Sequence, residues 1–177
     1  MSTVTSLPTF KPQFGVIVPT YNPGREAWAK WVQALQSQNC KPMQVVVVDS
    51  GSTDGSLDLS QQAGFTLLHT KAQDFNHGAT RQWALNQGFL NPEPSPPPDF
   101  IVFLTQDAIL ANPTALEELL QAFQDPQVAA AYGRQLPNPE ASWLETHTRA
   151  FNYPDASRTV QLQDKASLGI KACFLSN

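Results

Sequence analysis

Two aspartates stand just past apolar runs in this chain: Asp49 follows residues 45–48, four consecutive valines, and Asp107 follows residues 100–104 by way of Thr105 and Gln106. A carboxylate at the mouth of a buried strand sits where water is scarce. It therefore requires a partner, which can be a base edge, a ribose hydroxyl, a helix N-terminus or a cation. Each aspartate also has a plain structural alternative. Asp49 opens Asp49-Ser50-Gly51-Ser52, ordinary turn chemistry in which the carboxylate caps the next turn, and Asp107 can be a solvated loop acid near a helix start. Two such positions in one chain tip the balance toward a site. A third polar cluster, Thr20-Tyr21-Asn22, follows the apolar run 14–18.

The elements that would position these residues are legible as alternating runs. Residues 14–18 break off at Pro19-Thr20-Tyr21-Asn22-Pro23-Gly24, as a buried strand does on entering a loop. Trp28, Trp31, Val32 and Leu35 then repeat at helical spacing and form one apolar stripe. Residues 45–48 are too continuously β-branched for a strand with one wet face, so a central parallel strand is predicted. The polar loop from Asp49 to Ser56 leads into a weakly helical stretch to Ala63, and residues 66–69 read as a third strand. A helix is predicted from Asn76-His77-Gly78 to about Gln87, with Gly88 ending it. The proline-rich stretch 91–98 reads as a stiff surface connection. After the strand at 100–104, Asn112-Pro113 opens a helix with the stripe Leu116, Leu119, Leu120 and Phe123, and residues 128–132 read as one more strand. Residues 143–151 read as a short helix. Strands alternating with helices imply an α/β fold with a mostly parallel sheet, in which ligands bind outside the carboxyl ends of the strands. All three polar clusters fall there.

Composition narrows the partners. With 41% hydrophobic and 15% charged residues among 177, the chain can bury one core, and a net charge of −4 gives no basic surplus for a nucleic acid. Cys40 and Cys173 lack metal or redox spacing and are expected to be buried thiols. Residues 1–13 read as a flexible N-terminal tail and 14–177 as one domain. No apolar stretch reaches the roughly 20 residues that cross a bilayer, and residues 1–13 do not resemble a signal peptide. A soluble, cytoplasmic protein is expected, with room for peripheral association of a full-length form with the inner face of a membrane. The chain stops at Asn177 directly after an apolar segment, which reads as truncation at the C-terminus. Dinucleotide-binding, P-loop and nucleophilic-elbow motifs are all absent.

Three segments in order, Val-Ile-Val-Pro-Thr-Tyr-Asn at 16–22, Val-Val-Asp-Ser-Gly-Ser-Thr-Asp-Gly-Ser at 47–56 and Phe-Leu-Thr-Gln-Asp-Ala at 103–108, resemble the inverting glycosyltransferases of family 2. The resemblance implies the GT-A fold, a Rossmann-like nucleotide-sugar-binding architecture. Phe-Asn-His-Gly-Ala-Thr-Arg at 75–81 and Thr-Gln-Asp in place of a fuller Asp-x-Asp are similar to the branch that uses dTDP-rhamnose.

The roles implied are these. Pro19, Thr20, Tyr21 and Asn22 would cradle the nucleotide of dTDP-rhamnose or a UDP-sugar. Asp49 would accept a hydrogen bond from a pyrimidine N–H, with Ser50 beside it and Asp54 near base or ribose. Arg81 would face the base or diphosphate, and His77 would either start the helix or touch the ligand. Thr105, Gln106 and Asp107 would lie at the diphosphate, Asp107 binding Mg²⁺ or Mn²⁺, hard cations that prefer carboxylate and phosphate oxygens. Thr105 stands where the pattern has its first acid. The acceptor implied is a glycan or lipid-linked sugar of polysaccharide synthesis. The general base of the family would come from a later part of the fold, beyond Asn177. A noncatalytic nucleotide-sugar-binding module is the alternative. A nucleotidyltransferase is disfavoured because Pro19 to Gly24 is not a glycine-rich basic loop.

Overall fold

The computed structural model describes residues 10–91, 96–137, 141–153 and 156–168. The expected tail up to residue 9, part of the proline-rich connection, Cys173 and the chain end lie outside them. The chain divides into two compact units, Met1–Glu118 and Leu119–Asn177.

The first unit is built on a parallel sheet of order β3-β2-β1-β4, with β1 at Phe14–Thr20, β2 at Gln44–Asp49, β3 at Thr66–His69 and β4 at Phe100–Phe103. Val16, Ile17 and Val18 of β1 and Val46, Val47 and Val48 of β2 are all 0% exposed. Both faces of these strands are covered, which is why their sequence runs apolar without alternation. Burying each such side chain contributes about 1.5–3 kcal/mol, so the two central strands anchor the unit.

Helix α1 (Arg25–Gln36) buries Trp28, Trp31, Val32 and Leu35, the predicted stripe. The two indoles stack at 4.5 Å, and Trp28 Nε1 donates to Ser60 Oγ of α2 (Ser56–Gln62) at 2.9 Å. Helix α3 (His77–Leu85) packs against β1 and β2. There Ala84 and Phe89 join Ile17, Val46 and Val48 in a core cluster that Leu68, Leu85 and Ile101 border.

Gly88 does not end α3. The chain continues as a π-helical turn over Asn86–Leu90. A Cβ on Gly88 would lie 2.7 Å from Val46 Cγ2, so the glycine is required by close approach to β2 rather than by a helix stop. Gly15 has the same explanation, since a Cβ there would fall 2.2 Å from the Phe89 ring.

Helix α4 (Ala115–Gln121) starts after Asn112, whose Oδ1 accepts from the Thr114 amide and hydroxyl, and it carries the boundary between the units. In the second unit, α5 (Trp143–Asn152) is capped by Ser142, and a short helix, α6, covers Lys165–Leu168. The strand expected at 128–132 does not form. Three of its five residues are alanines, which bring little strand preference, and none of the five is buried. Among the described residues, β4 pairs only with β1. Cys40 is half-buried rather than buried, and desolvation with the nearby Glu117 charge pushes its thiol above the ordinary range. Among the described residues no helix is long and apolar enough to cross a membrane.

Candidate functional site

Strand order decides where a site can open. The chain steps from β1 outward to β2 and β3, then returns to the far side of β1 as β4. The loops leaving the carboxyl ends of β1 and β4 therefore flank the point where the strand order reverses, the place where open α/β sheets bind their ligands. Thr20-Tyr21-Asn22 lies on one side and Thr105-Gln106-Asp107 on the other. The sequence placed both segments at this edge, and the structure brings them into contact. Tyr21 N donates to Gln106 Oε1 at 2.7 Å, and Gln106 Nε2 donates to Tyr21 O at 3.3 Å.

Parallel register aligns Thr20 with Asp49 and Asp49 with His69, so the last residues of three strands form one row. Asp49 is 1% exposed. Its Oδ2 accepts from Gly51 N at 2.8 Å and Ser52 N at 3.0 Å, while Oδ1 faces Thr20 Oγ1 at 3.4 Å. The turn-capping alternative is thus realised on one oxygen, leaving the other with a single long hydrogen bond. Ser50 is buried, and its amide donates to Thr20 O.

The β1 and β2 loops are stitched together. Asn22 sits in the left-handed region at φ 43°, its amide donating to Ser52 Oγ and its Oδ1 accepting from Thr53 N. Asp54 accepts from Gly24 N at 2.6 Å and from the Ser56 amide and hydroxyl at 3.1 and 2.6 Å. Burial alone would push the Asp54 carboxyl up, but the bonds from Ser56 and Gly24 outweigh it and hold it below the ordinary carboxylate value. Both oxygens are committed within the chain, so Asp54 shapes the loop beside the site.

Asp107 differs from the expectation of a water-poor setting. Strand β4 ends at Phe103, and Leu104 still donates to Ile17 O at 3.0 Å, but the chain then turns, Ala108 N donating to Thr105 O. That turn carries Asp107 into solvent, exposed and without a side-chain partner among the described residues. Thr105 is exposed as well, its carbonyl held by Trp31 Nε1 at 3.1 Å. Among the described residues no group of three or more His, Cys, Asp or Glu converges as a metal cage. A lone free carboxylate still suits Mg²⁺ or Mn²⁺, which bind through one or two carboxylates and complete their shell with water and substrate phosphates.

Helix α3 begins at the carboxyl edge. Asn76 caps it, accepting from Gly78 N and Ala79 N, while Thr80 Oγ1 accepts from Asn76 N. His77 is the first residue of the helix, is exposed, and meets Phe75 edge-on, 4.9 Å between centroids. One turn in, Arg81 has Nε and Nη1 buried without any hydrogen-bond partner. Buried guanidinium donors left open are costly, and an anion would satisfy them.

Sequence reasoning missed His69, Trp31 and Gln38. His69 is exposed at the end of β3, in register with Asp49, and the rule that selected residues at strand ends would have found it. Trp31 was read only as core, and its indole N–H carried no signal. Gln38, 1% exposed, donates to Ala34 O and Asn112 O and accepts from Leu116 N, fixing the far end of the segment that carries Asp107.

Comparison with known proteins converges on one family. The profile of glycosyl transferase family 2 matches residues 15–176. The chain is 43% identical over 166 residues to the O-antigen chain rhamnosyltransferase WbaN of Salmonella anatum, covering 94% of this chain and 50% of the relative. It is 40% identical over 163 residues to RfbN of Salmonella typhimurium, also an O-antigen chain rhamnosyltransferase, covering 92% and 49%. The chain thus spans about half the length of the curated relatives it matches. Among solved structures it is similar to the mannosyltransferase PcManGT of Pyrobaculum calidifontis, determined with GDP-Man and Mn²⁺, at TM-score 0.54 and 25% identity over 68% of this chain and 35% of that one. The chain belongs to glycosyl transferase family 2 and has its GT-A fold.

Proposed function

We propose that this chain is the donor-binding part of an inverting rhamnosyltransferase that takes rhamnose from dTDP-rhamnose to a glycan or lipid-linked acceptor in polysaccharide synthesis. The observation that carries the reading is the meeting of the β1 and β4 loops at the switch point of the sheet, where Tyr21 is bonded to Gln106 and the neighbouring Asp107 is exposed without a side-chain partner among the described residues. The two Salmonella relatives, named as O-antigen chain rhamnosyltransferases, support the sugar and the acceptor class.

In this reading Pro19, Thr20, Tyr21 and Asn22 form the nucleotide wall. Tyr21, 53% exposed, offers an aromatic face to the base. Asp49 Oδ1 accepts the pyrimidine N–H. At 1% exposure it is closed to solvent, and the Thr20 hydroxyl, its one partner on that oxygen at 3.4 Å, is the group that gives way to the base. Ser50 and Asp54 support this wall through the chain, and His77 lies at the start of the helix that presents Arg81. The open Nε and Nη1 donors of Arg81 take the negative charge of the nucleotide. Asp107, with Thr105 and water, would hold Mg²⁺ or Mn²⁺, a role supported by the similar PcManGT, determined with GDP-Man and Mn²⁺. When bound, the cation offsets charge gathering on the departing diphosphate. The chain's own residues orient the donor and keep its nucleotide fixed while the sugar carbon is attacked. No described residue is assigned as the general base.

A second reading, a noncatalytic nucleotide-sugar-binding module, is favoured by that last point. Titration of dTDP-rhamnose, UDP-glucose, UDP-galactose and GDP-mannose with and without Mn²⁺ tests the donor: Mn²⁺-enhanced binding of dTDP-rhamnose is expected, and a folded chain that binds none overturns both readings. Transfer to a lipid-linked glycan then separates enzyme from module.

A further inference from the structure

Gln106 sits beside the free carboxylate of Asp107, yet its own amide is engaged elsewhere. Its Oε1 takes the Tyr21 N–H at 2.7 Å and its Nε2 donates to the Tyr21 carbonyl at 3.3 Å. One side chain thus occupies both backbone polar groups of a residue 85 positions away, in the loop that follows β1. Tyr21 is held on its other side as well, through Asn22 and its bonds to Ser52 and Thr53. On the β4 side, Leu104 and Thr105 are fixed by Ile17 O and the Trp31 indole. The β4 loop has a firm base and the β1 loop a firm flank, and Gln106 is the side chain that joins their tips. An amide does this without adding charge next to a carboxylate that must meet a diphosphate.

We infer that Gln106 is a positioning residue that clasps the nucleoside-binding loop to the metal-binding loop and touches neither donor nor metal. This rests on the donor-binding reading above and reassigns one residue within it. The clasp makes Tyr21 and Asp107 one body, so a cation at Asp107 and a base on Tyr21 each favour the arrangement the other needs. By reciprocity, breaking the clasp weakens both ligands and the coupling between them.

The test uses the whole chain with Gln106→Ala and Gln106→Glu, titrated by NMR and calorimetry with thymidine and with dTDP, each with and without Mn²⁺. Thymidine has no phosphate and reads the nucleoside loop alone. For Gln106→Ala the expected result is an about three- to ten-fold loss of thymidine affinity without metal, the size of one lost hydrogen bond, and a smaller Mn²⁺ enhancement of dTDP. Gln106→Glu keeps the acceptor of the shorter bond and loses only the donor of the longer one, so its thymidine affinity is expected to lie between those of Gln106→Ala and the parent. Exchange of the Tyr21 amide hydrogen, read without ligand, accelerates in Gln106→Ala and not in Gln106→Glu. A Gln106→Ala chain that loses dTDP but binds thymidine normally contradicts the clasp, because Gln106 would then touch the diphosphate. Unchanged binding of both overturns it too. A parent chain that binds neither ligand, while folded, removes the donor reading itself.

Discussion

The two aspartates that look alike in sequence have become different objects. Asp107 is exposed and unpartnered among the described residues, so removing it costs the fold little; surface changes of this kind fall within about 0.5 kcal/mol. Asp107→Ala is expected to melt with the parent and to lose the Mn²⁺-dependent share of dTDP affinity, as calorimetry with and without Mn²⁺ would read; an unchanged metal response removes its assignment. Asp49→Ala would confuse two effects, because it orphans the Gly51 and Ser52 amides at about 1–3 kcal/mol. Asp49→Asn separates them: its carbonyl oxygen keeps the turn, while its NH₂ confronts a pyrimidine N–H with another donor. It should unfold within about 1 kcal/mol of the parent and bind dTDP clearly more weakly. Equal binding would leave Asp49 a turn former alone. Asp54 makes a prediction in pH. Its folded value lies below the ordinary 3.8, so its contribution to stability is present above that value and fades as pH falls through the lowered one. Asp54→Asn should therefore melt below the parent at neutral pH, with the gap closing in the acid range below about 3.8; a gap independent of pH would show that the carboxylate charge is irrelevant.

Among the elements, the sequence was most informative where a run of one residue type has a single physical explanation. Consecutive valines at 45–48 can only satisfy a strand covered on both faces, and the tryptophan-leucine stripe of α1 can only face a core. Thr20 and Asp49 accordingly stand side by side at the carboxyl edge of the sheet, a placement legible without knowing their partners. What stayed hidden depends on three-dimensional proximity. Gly88 at the end of an apolar helical pattern looks like a stop signal, and only the approach of Val46 shows otherwise. The run at 128–132 has the right hydrophobicity for a strand, but its alanines bring no strand preference of their own. Asp107 was expected near the strand mouth, and the turn after Thr105 carries it into water. The packing of Gly15 against Phe89 yields a sharp expectation. Gly15→Ala drives a Cβ to 2.2 Å from a buried ring, an overpacking that costs about 1–3 kcal/mol. Adding Phe89→Leu should make the pair less destabilised than the two single changes sum to, by denaturant melts in a double-mutant cycle. Strict additivity would mean that Gly15 is needed for another reason.

At the scale of the whole molecule, the residues assigned to the donor all lie in Met1–Glu118, while the second unit, Leu119–Asn177, contains none of them. This division follows from topology. The carboxyl ends of β1 through β4 are complete before α4 begins, and the bonds that shape the site, including those of Gln38 to Asn112 and Leu116, close within the first unit. Donor affinity should then be insensitive to the second unit's chemistry. Among its described acids, Glu145 lies in the first turn of α5 and Asp164 closes a local turn by accepting from Gln161 N. Glu145→Gln and Asp164→Asn are each expected to leave the dTDP-rhamnose Kd, measured with Mn²⁺, within about two-fold of the parent, since changes without a shared partner seldom exceed about 0.5 kcal/mol. A drop of ten-fold or more from either change would mean that the second unit supplies part of the donor wall, and the loops that follow β1 and β4 would no longer suffice to explain donor recognition.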